Sequence, residues 1–283
     1  MLNQYFAYEK ECYNSNMSKK RTVILAAGYA AAFLILAQFD LPFSLEFGQN
    51  QNSALAFFGR CISILPGIWI GSLCSAALAM HCLGYKKICL YIVSGVLSAV
   101  TVFEYCHYAD ISFISIVPIL CSIILFLATV YLASKSDQSN DEAVKAEWLG
   151  LLLLIITNVL LNILKMFWGR TRFYAMSDPA GEFVPWYILR PFAADDYHMS
   201  FPSGHTGNAS VVMWIVYLPL LYPDFKVHPF VLKGTAALWI IVTALGRIAG
   251  GAHFISDTMA SIALVYIIYR FLQNKLKMNA AIQ

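Results

Sequence analysis

Charged side chains are scarce in this chain. Asp, Glu, Lys and Arg make up 12% of its 283 residues, against 59% that are hydrophobic. A soluble domain carries about 25% charge, so this composition, with a mean hydropathy of +0.65, speaks for a polytopic membrane protein. The net charge of +3 is small. It lies mainly in short loops, where it sets topology and builds no nucleic-acid surface. Metal-type and redox-type cysteine spacings are missing too. Cys12, Cys61, Cys74, Cys82, Cys89, Cys106 and Cys121 are an odd set, mostly inside apolar runs, and read as buried free thiols. No small-residue cleavage site follows the first apolar run, which therefore reads as a retained helix and not as a signal peptide.

What the chain does have is long apolar runs. A helix needs roughly 17–25 such residues to cross a bilayer. Candidates occupy 22–39, 62–83, 88–106, 111–134, 147–168, 206–222, 230–247 and 254–273. The expected fold is all-α, a polytopic transmembrane helical bundle of eight spans. Six is the alternative, because the third and fourth runs are joined only by a short connection holding His107 and Asp110. The expected organisation is a polar N-terminal segment 1–21, N-terminal spans 22–146, a C-terminal membrane domain 147–274 with an outer loop 173–201, and a tail 275–283. Eight spans place Lys19, Lys20, Arg21, Lys86, Lys87, Lys135, Lys145, Lys226, Lys275 and Lys277 on one side. That side should be the cytoplasm, with both termini in it.

Three polar segments then share the opposite face: Lys165-MFWGRT-Arg172, Pro202-Ser203-Gly204-His205 and Arg247-IAGGA-His253-FIS-Asp257. Charge at the edge of a membrane span is costly and usually functional. Lys165 and Arg172 stand two helical turns apart and share a face if the helix reaches that far. An arginine fork and a lysine point charge both suit phosphate oxygens. Ser203 or Thr206 can cap the next helix, whose first N–H groups make an anion site, with His205 there to give a proton. His253 and Asp257 are one turn apart, so the carboxylate can hold the imidazole. Gly250 and Gly251 let the backbone bend closely, and Arg247 aims at the same space. Singly, the three segments also fit a snorkelling basic cluster, an ordinary helix start and a charged hairpin. A metal set of His198, His205, His253 and Asp257 is the less favoured reading, since Arg172 and Arg247 would repel a divalent ion.

In order and at these spacings, the segments resemble the three-part signature of the type 2 phosphatidic acid phosphatase (PAP2) superfamily: K-x6-RP, PSGH and SR-x5-H-x3-D. The resemblance covers roughly residues 160–270. It departs at Phe173, where the signature has proline, and at Gly246, where it has serine. The resemblance implies that His253 is the nucleophile, Asp257 its orienting carboxylate and His205 the general acid and base. Lys165, Arg172, Ser203, Gly204 and Arg247 would hold the phosphoryl oxygens, with no metal and no cofactor. It further implies an enzyme of the bacterial cytoplasmic (inner) membrane, facing the periplasm or cell exterior. The substrate would be a lipid phosphate: undecaprenyl diphosphate, phosphatidic acid, phosphatidylglycerol phosphate or lipid A. The partners would be the bilayer and that lipid, without nucleic acid, and no oligomeric state is implied. Phosphoryl transfer to a second lipid is the nearest alternative. Transport is disfavoured, because the early spans are almost uncharged. The loop 174–201, carrying Trp186, Tyr187, Arg190, Asp195, Asp196 and His198, is expected to lie over the site as a lid or interfacial helix.

Overall fold

The computed structural model describes residues 23–111, 116–191 and 195–278. The expected N-terminal segment 1–21 and most of the tail lie outside them. Seven helices are long and apolar enough to cross a membrane. They are α1 (Val23–Phe47), α2 (Ala54–Met80), α3 (Gly84–Tyr108), α4 (Ile116–Ala133), α5 (Asp141–Trp168), α7 (Pro229–Ala249) and α8 (Ile255–Lys275). The chain is an all-α integral membrane protein.

The eighth expected span is α6 (Gly204–Ser210), prolonged by a 3₁₀ stretch Val211–Tyr217 and a last turn Leu218–Leu221. Its opening turns are polar, which keeps it outside the apolar seven. It nonetheless runs antiparallel to α5 along that helix's length. A Cβ on Gly204 would lie 2.9 Å from Lys165 Nζ. Asn208 and Asn158 exchange amide hydrogen bonds, and Trp214 Nε1 donates to Ala146 O at 2.6 Å. At the far end Asp137 N donates to Leu221 O at 2.7 Å. The segment thus passes from the Lys165 end of α5 to the Asp141 end, and the helices alternate in direction as eight.

Local signals explain most boundaries. Asn140 caps α5, its side chain accepting from Glu142 N, and Asp141 and Glu142 complement the helix dipole in the first turn. At the other end Gly169 takes a left-handed φ of +56°. Any Cβ there would sit 1.7 Å from Arg190 O, so the helix stops at Trp168. Lys165 and Arg172 are therefore not on one continued helical face, as the spacing suggested; the chain turns between them.

The centre of the bundle is α2, whose apolar window is 78% buried. Small residues permit this: a Cβ on Gly67 would fall 2.1 Å from Asn208 O, and one on Gly71 2.3 Å from a Leu154 methyl. Close backbone approach is how helices gain contact where lipid is as apolar as leucine. Two helices are longer than their apolar runs. α1 continues through Asp40 to Phe47, and α2 begins eight residues early, capped by Ser53. Both extensions lie beside the C-terminal end of α5 and the N-terminal ends of α6 and α8, where the polar segments meet.

Candidate active site

Arg170 is the hub of this end. It is fully buried, and each of its nitrogens is engaged. Nε donates to Val184 O at 2.9 Å. Nη1 donates to Asp257 Oδ1 at 2.5 Å and Ser256 Oγ at 2.8 Å, and Nη2 to Asp40 Oδ2 at 2.9 Å. Its guanidinium lies over the Phe254 ring, 4.1 Å from the centroid. A buried charge has to be met this completely, because desolvation costs several kcal/mol per ion.

Asp257 is shared. Its Oδ2 accepts from Ser200 Oγ at 2.6 Å and from the Phe254 amide at 2.8 Å. The expected hydrogen bond from His253 is not formed, for Nδ1 stands 3.8 Å from Oδ2. Ser200 O lies 2.6 Å from Nδ1 instead. A carbonyl only accepts, so Nδ1 carries the proton and Nε2 the lone pair. His253 is buried, and burial is the main reason its pKa falls to about 3; the charges of Arg172 and Arg247 push the same way.

Next to His253 lies a cavity of about 240 Å³, lined among others by Arg60, Tyr108, Arg172, Tyr174, Asp196, Arg247 and Ala252. It has room for a phosphoryl group and several waters. Arg247 is buried, and its Nε has no hydrogen-bond partner among the described residues. Arg172 is clasped by the loop that follows it: Nε donates to Asp196 O at 2.8 Å and Nη2 to Asp196 Oδ1 at 2.5 Å. That carboxylate is 71% exposed. The loop is further tied down by Arg172 N to Tyr197 O and Ser200 N to Arg170 O.

Two candidates are more engaged than expected. Ser203 is the N-cap of α6, its Oγ accepting from Thr206 N and donating to Thr206 Oγ1 at 2.9 Å. His205 Nε2 lies 3.1 Å from Arg60 O, which places a proton there and leaves Nδ1 as the free nitrogen. His198 pairs with Asp195 at 2.6 Å on the loop. Among the described residues, no three histidine, cysteine or acidic side chains converge as a metal-binding group. Sequence reasoning passed over Arg170, Asp40, Ser200 and Arg60. A second arginine inside the Lys165–Arg172 segment and a carboxylate at the margin of an apolar run were the available signals.

Compared with known families, residues 147–278 match the PAP2 superfamily. This part of the chain is a PAP2 domain. The match brings a phosphatase function with it. Searches of curated proteins and of solved structures return no match. Both departures from the PAP2 signature have a structural reason. A Cβ on Gly246 would lie 2.5 Å from Leu55 O, so a serine there would push α2 away. Phe173 is buried against Phe254, with Met176, Leu41 and Phe183 around it. Each departure stands where a helix outside the PAP2 domain docks on it.

Proposed function

We propose that the protein is a membrane-embedded lipid phosphatase. It hydrolyses a phosphomonoester or diphosphate through a phosphohistidine on His253, at the face of the membrane away from the cytoplasm. The observation that carries this reading is Arg247: a buried guanidinium N–H with no partner among the described residues lines the same cavity as Arg172, beside a histidine with a lone pair on Nε2. An unmet buried donor costs about 1–3 kcal/mol, which an incoming phosphoryl oxygen would recover.

In the first step the Nε2 lone pair forms the N–P bond while the P–O bond to the lipid breaks. His205 protonates the leaving oxygen. Because its Nε2 proton is directed at Arg60 O, the proton it gives sits on Nδ1, brought in with the negatively charged phosphate ester. In the second step neutral His205 takes a proton from water as its oxygen attacks phosphorus. The N–P electrons return to Nε2 and phosphate leaves. Lys165, Arg172, Arg247 and the Gly204 amide hold the oxygens over which charge spreads. Ser203 supports them by capping the helix on which Gly204 and His205 stand. Asp257 steadies the charge on His253. The reading calls for no cofactor, since fixed cations supply the charge stabilisation. Asp196 holds Arg172, so phosphate must displace that carboxylate to take up the Arg172 guanidinium.

Lys86, Lys87, Lys135, Lys145, Lys226, Lys275 and Lys277 lie toward the other end of the bundle, which supports a cytoplasmic location for that end. The site would then face the periplasm or exterior of a bacterial cytoplasmic membrane. Undecaprenyl diphosphate, phosphatidic acid, phosphatidylglycerol phosphate and the phosphates of lipid A all fit a site at the bilayer edge. The test is phosphate release from this panel by detergent-purified protein, with EDTA present, beside His253→Ala. Release that survives EDTA and is lost in the variant is expected. No release from any lipid by folded protein would sink the reading.

A further inference from the structure

We propose that Asp40, on α1 and outside the PAP2 domain, is a positioning residue for the His253 nucleophile. Through Arg170 it fixes the Asp257 carboxylate and supplies the negative charge that balances the imidazole cation during transfer. This rests on the phosphohistidine reading above.

The connection is continuous and buried. Asp40 Oδ2 accepts from Arg170 Nη2 at 2.9 Å, and Arg170 Nη1 reaches Asp257 Oδ1 at 2.5 Å. Asp257 Oδ2 holds Ser200 Oγ at 2.6 Å, and the carbonyl of the same Ser200 holds His253 Nδ1 at 2.6 Å. Ser256 closes the loop, donating to Asp40 from its amide at 2.9 Å and from its hydroxyl. Asp40, Arg170, Asp257 and His253 are each no more than 1% exposed, so the whole chain is shielded from water.

Charge explains why Asp40 is needed. Arg170 and Asp257 alone would form a neutral pair, leaving nothing to offset a cation on His253. With Asp40 on the other half of the guanidinium, the cluster of Asp40, Arg170 and Asp257 carries one net negative charge. When the Nε2 lone pair is given to phosphorus, the ring becomes a cation and the cluster is balanced. Such fixed charge acts on the transition state with little reorganisation. A tether for α1 is the competing role. A buried ion pair is weak evidence for stability, however, and α1 has another tie in Tyr29 Oη, which donates to Met259 O at 2.6 Å.

The experiment is steady-state kinetics of the detergent-purified full chain on whichever panel lipid the wild type hydrolyses. Asp40→Asn should lower kcat by about 10–100-fold, the range for residues that orient a reacting group from behind, with KM within about threefold. The phosphoenzyme trapped in alkali should fall in parallel. Tyr29→Phe, which loosens α1 without changing charge, should keep kcat within about threefold of wild type. If Asp40→Asn does not fold, Asp40→Asn/Arg170→Gln replaces it, with a kcat loss of about tenfold or more expected. Wild-type kcat in the assayed Asp40 variant, or an equal loss in Tyr29→Phe, overturns the proposal while leaving the phosphatase reading standing. A wild type that releases no phosphate overturns both.

Discussion

His253 donates its Nδ1 proton to a backbone carbonyl, and Nε2 keeps a lone pair wherever the ring is neutral. Burial extends that range down to about pH 3. The unfolded ring binds a proton below about pH 6.5, so this histidine's contribution to stability is complete above 6.5. It is lost as pH falls from there toward 3. Unfolding of wild type and His253→Gln in detergent should therefore show the wild type losing several kcal/mol more between those limits; parallel curves would refute the neutral buried ring. At this scale the sequence was partly transparent. Lys165, Arg172, His205, Arg247, His253 and Asp257 are recognisable because their spacings are short and local. Arg170 lay in view between two of them, but its role depends on Asp40, 130 positions away. Asp257 one turn from His253 looked like its hydrogen-bond partner, yet Arg170 and Ser200 hold the carboxylate where it cannot bond the ring.

The helices show where hydropathy stops being a guide. Apolar runs located all eight segments, but α1 and α2 each extend into polar sequence, and those extensions carry Asp40 and Arg60. A run-based boundary cuts at the first charge; α1 continues past Asp40 because that carboxylate meets the buried Arg170. Gly246 is the counterpart on α7. Restoring the signature residue with Gly246→Ser would set a Cβ 2.5 Å from Leu55 O and 2.9 Å from the Gly59 Cα. Both neighbours are backbone and cannot rotate aside, so an overpacking cost of about 1–3 kcal/mol is expected. Thermal unfolding in detergent would read it, and an unchanged or higher midpoint would show that α2 does not seat there.

For the whole molecule, alternation of eight helical segments gathers three separated polar motifs at one end and most lysines toward the other. The proposed orientation rests on that asymmetry. With exposed Cys89 and Cys121 replaced, Tyr187→Cys should react with a membrane-impermeant maleimide on intact cells. Asp224→Cys should react only after permeabilisation, and the reverse pattern would invert the topology. The all-helical class, the spans and the PAP2 motifs could be read directly from the chain, because hydropathy and short spacings are local properties that neighbouring residues share. Which charges meet could not. The pairing of Asp40 with Arg170, the clasp of Asp196 on Arg172 and the Ser200 carbonyl under His253 join residues far apart in order, and a buried charge takes its partner from whatever the packed bundle brings within about 3 Å.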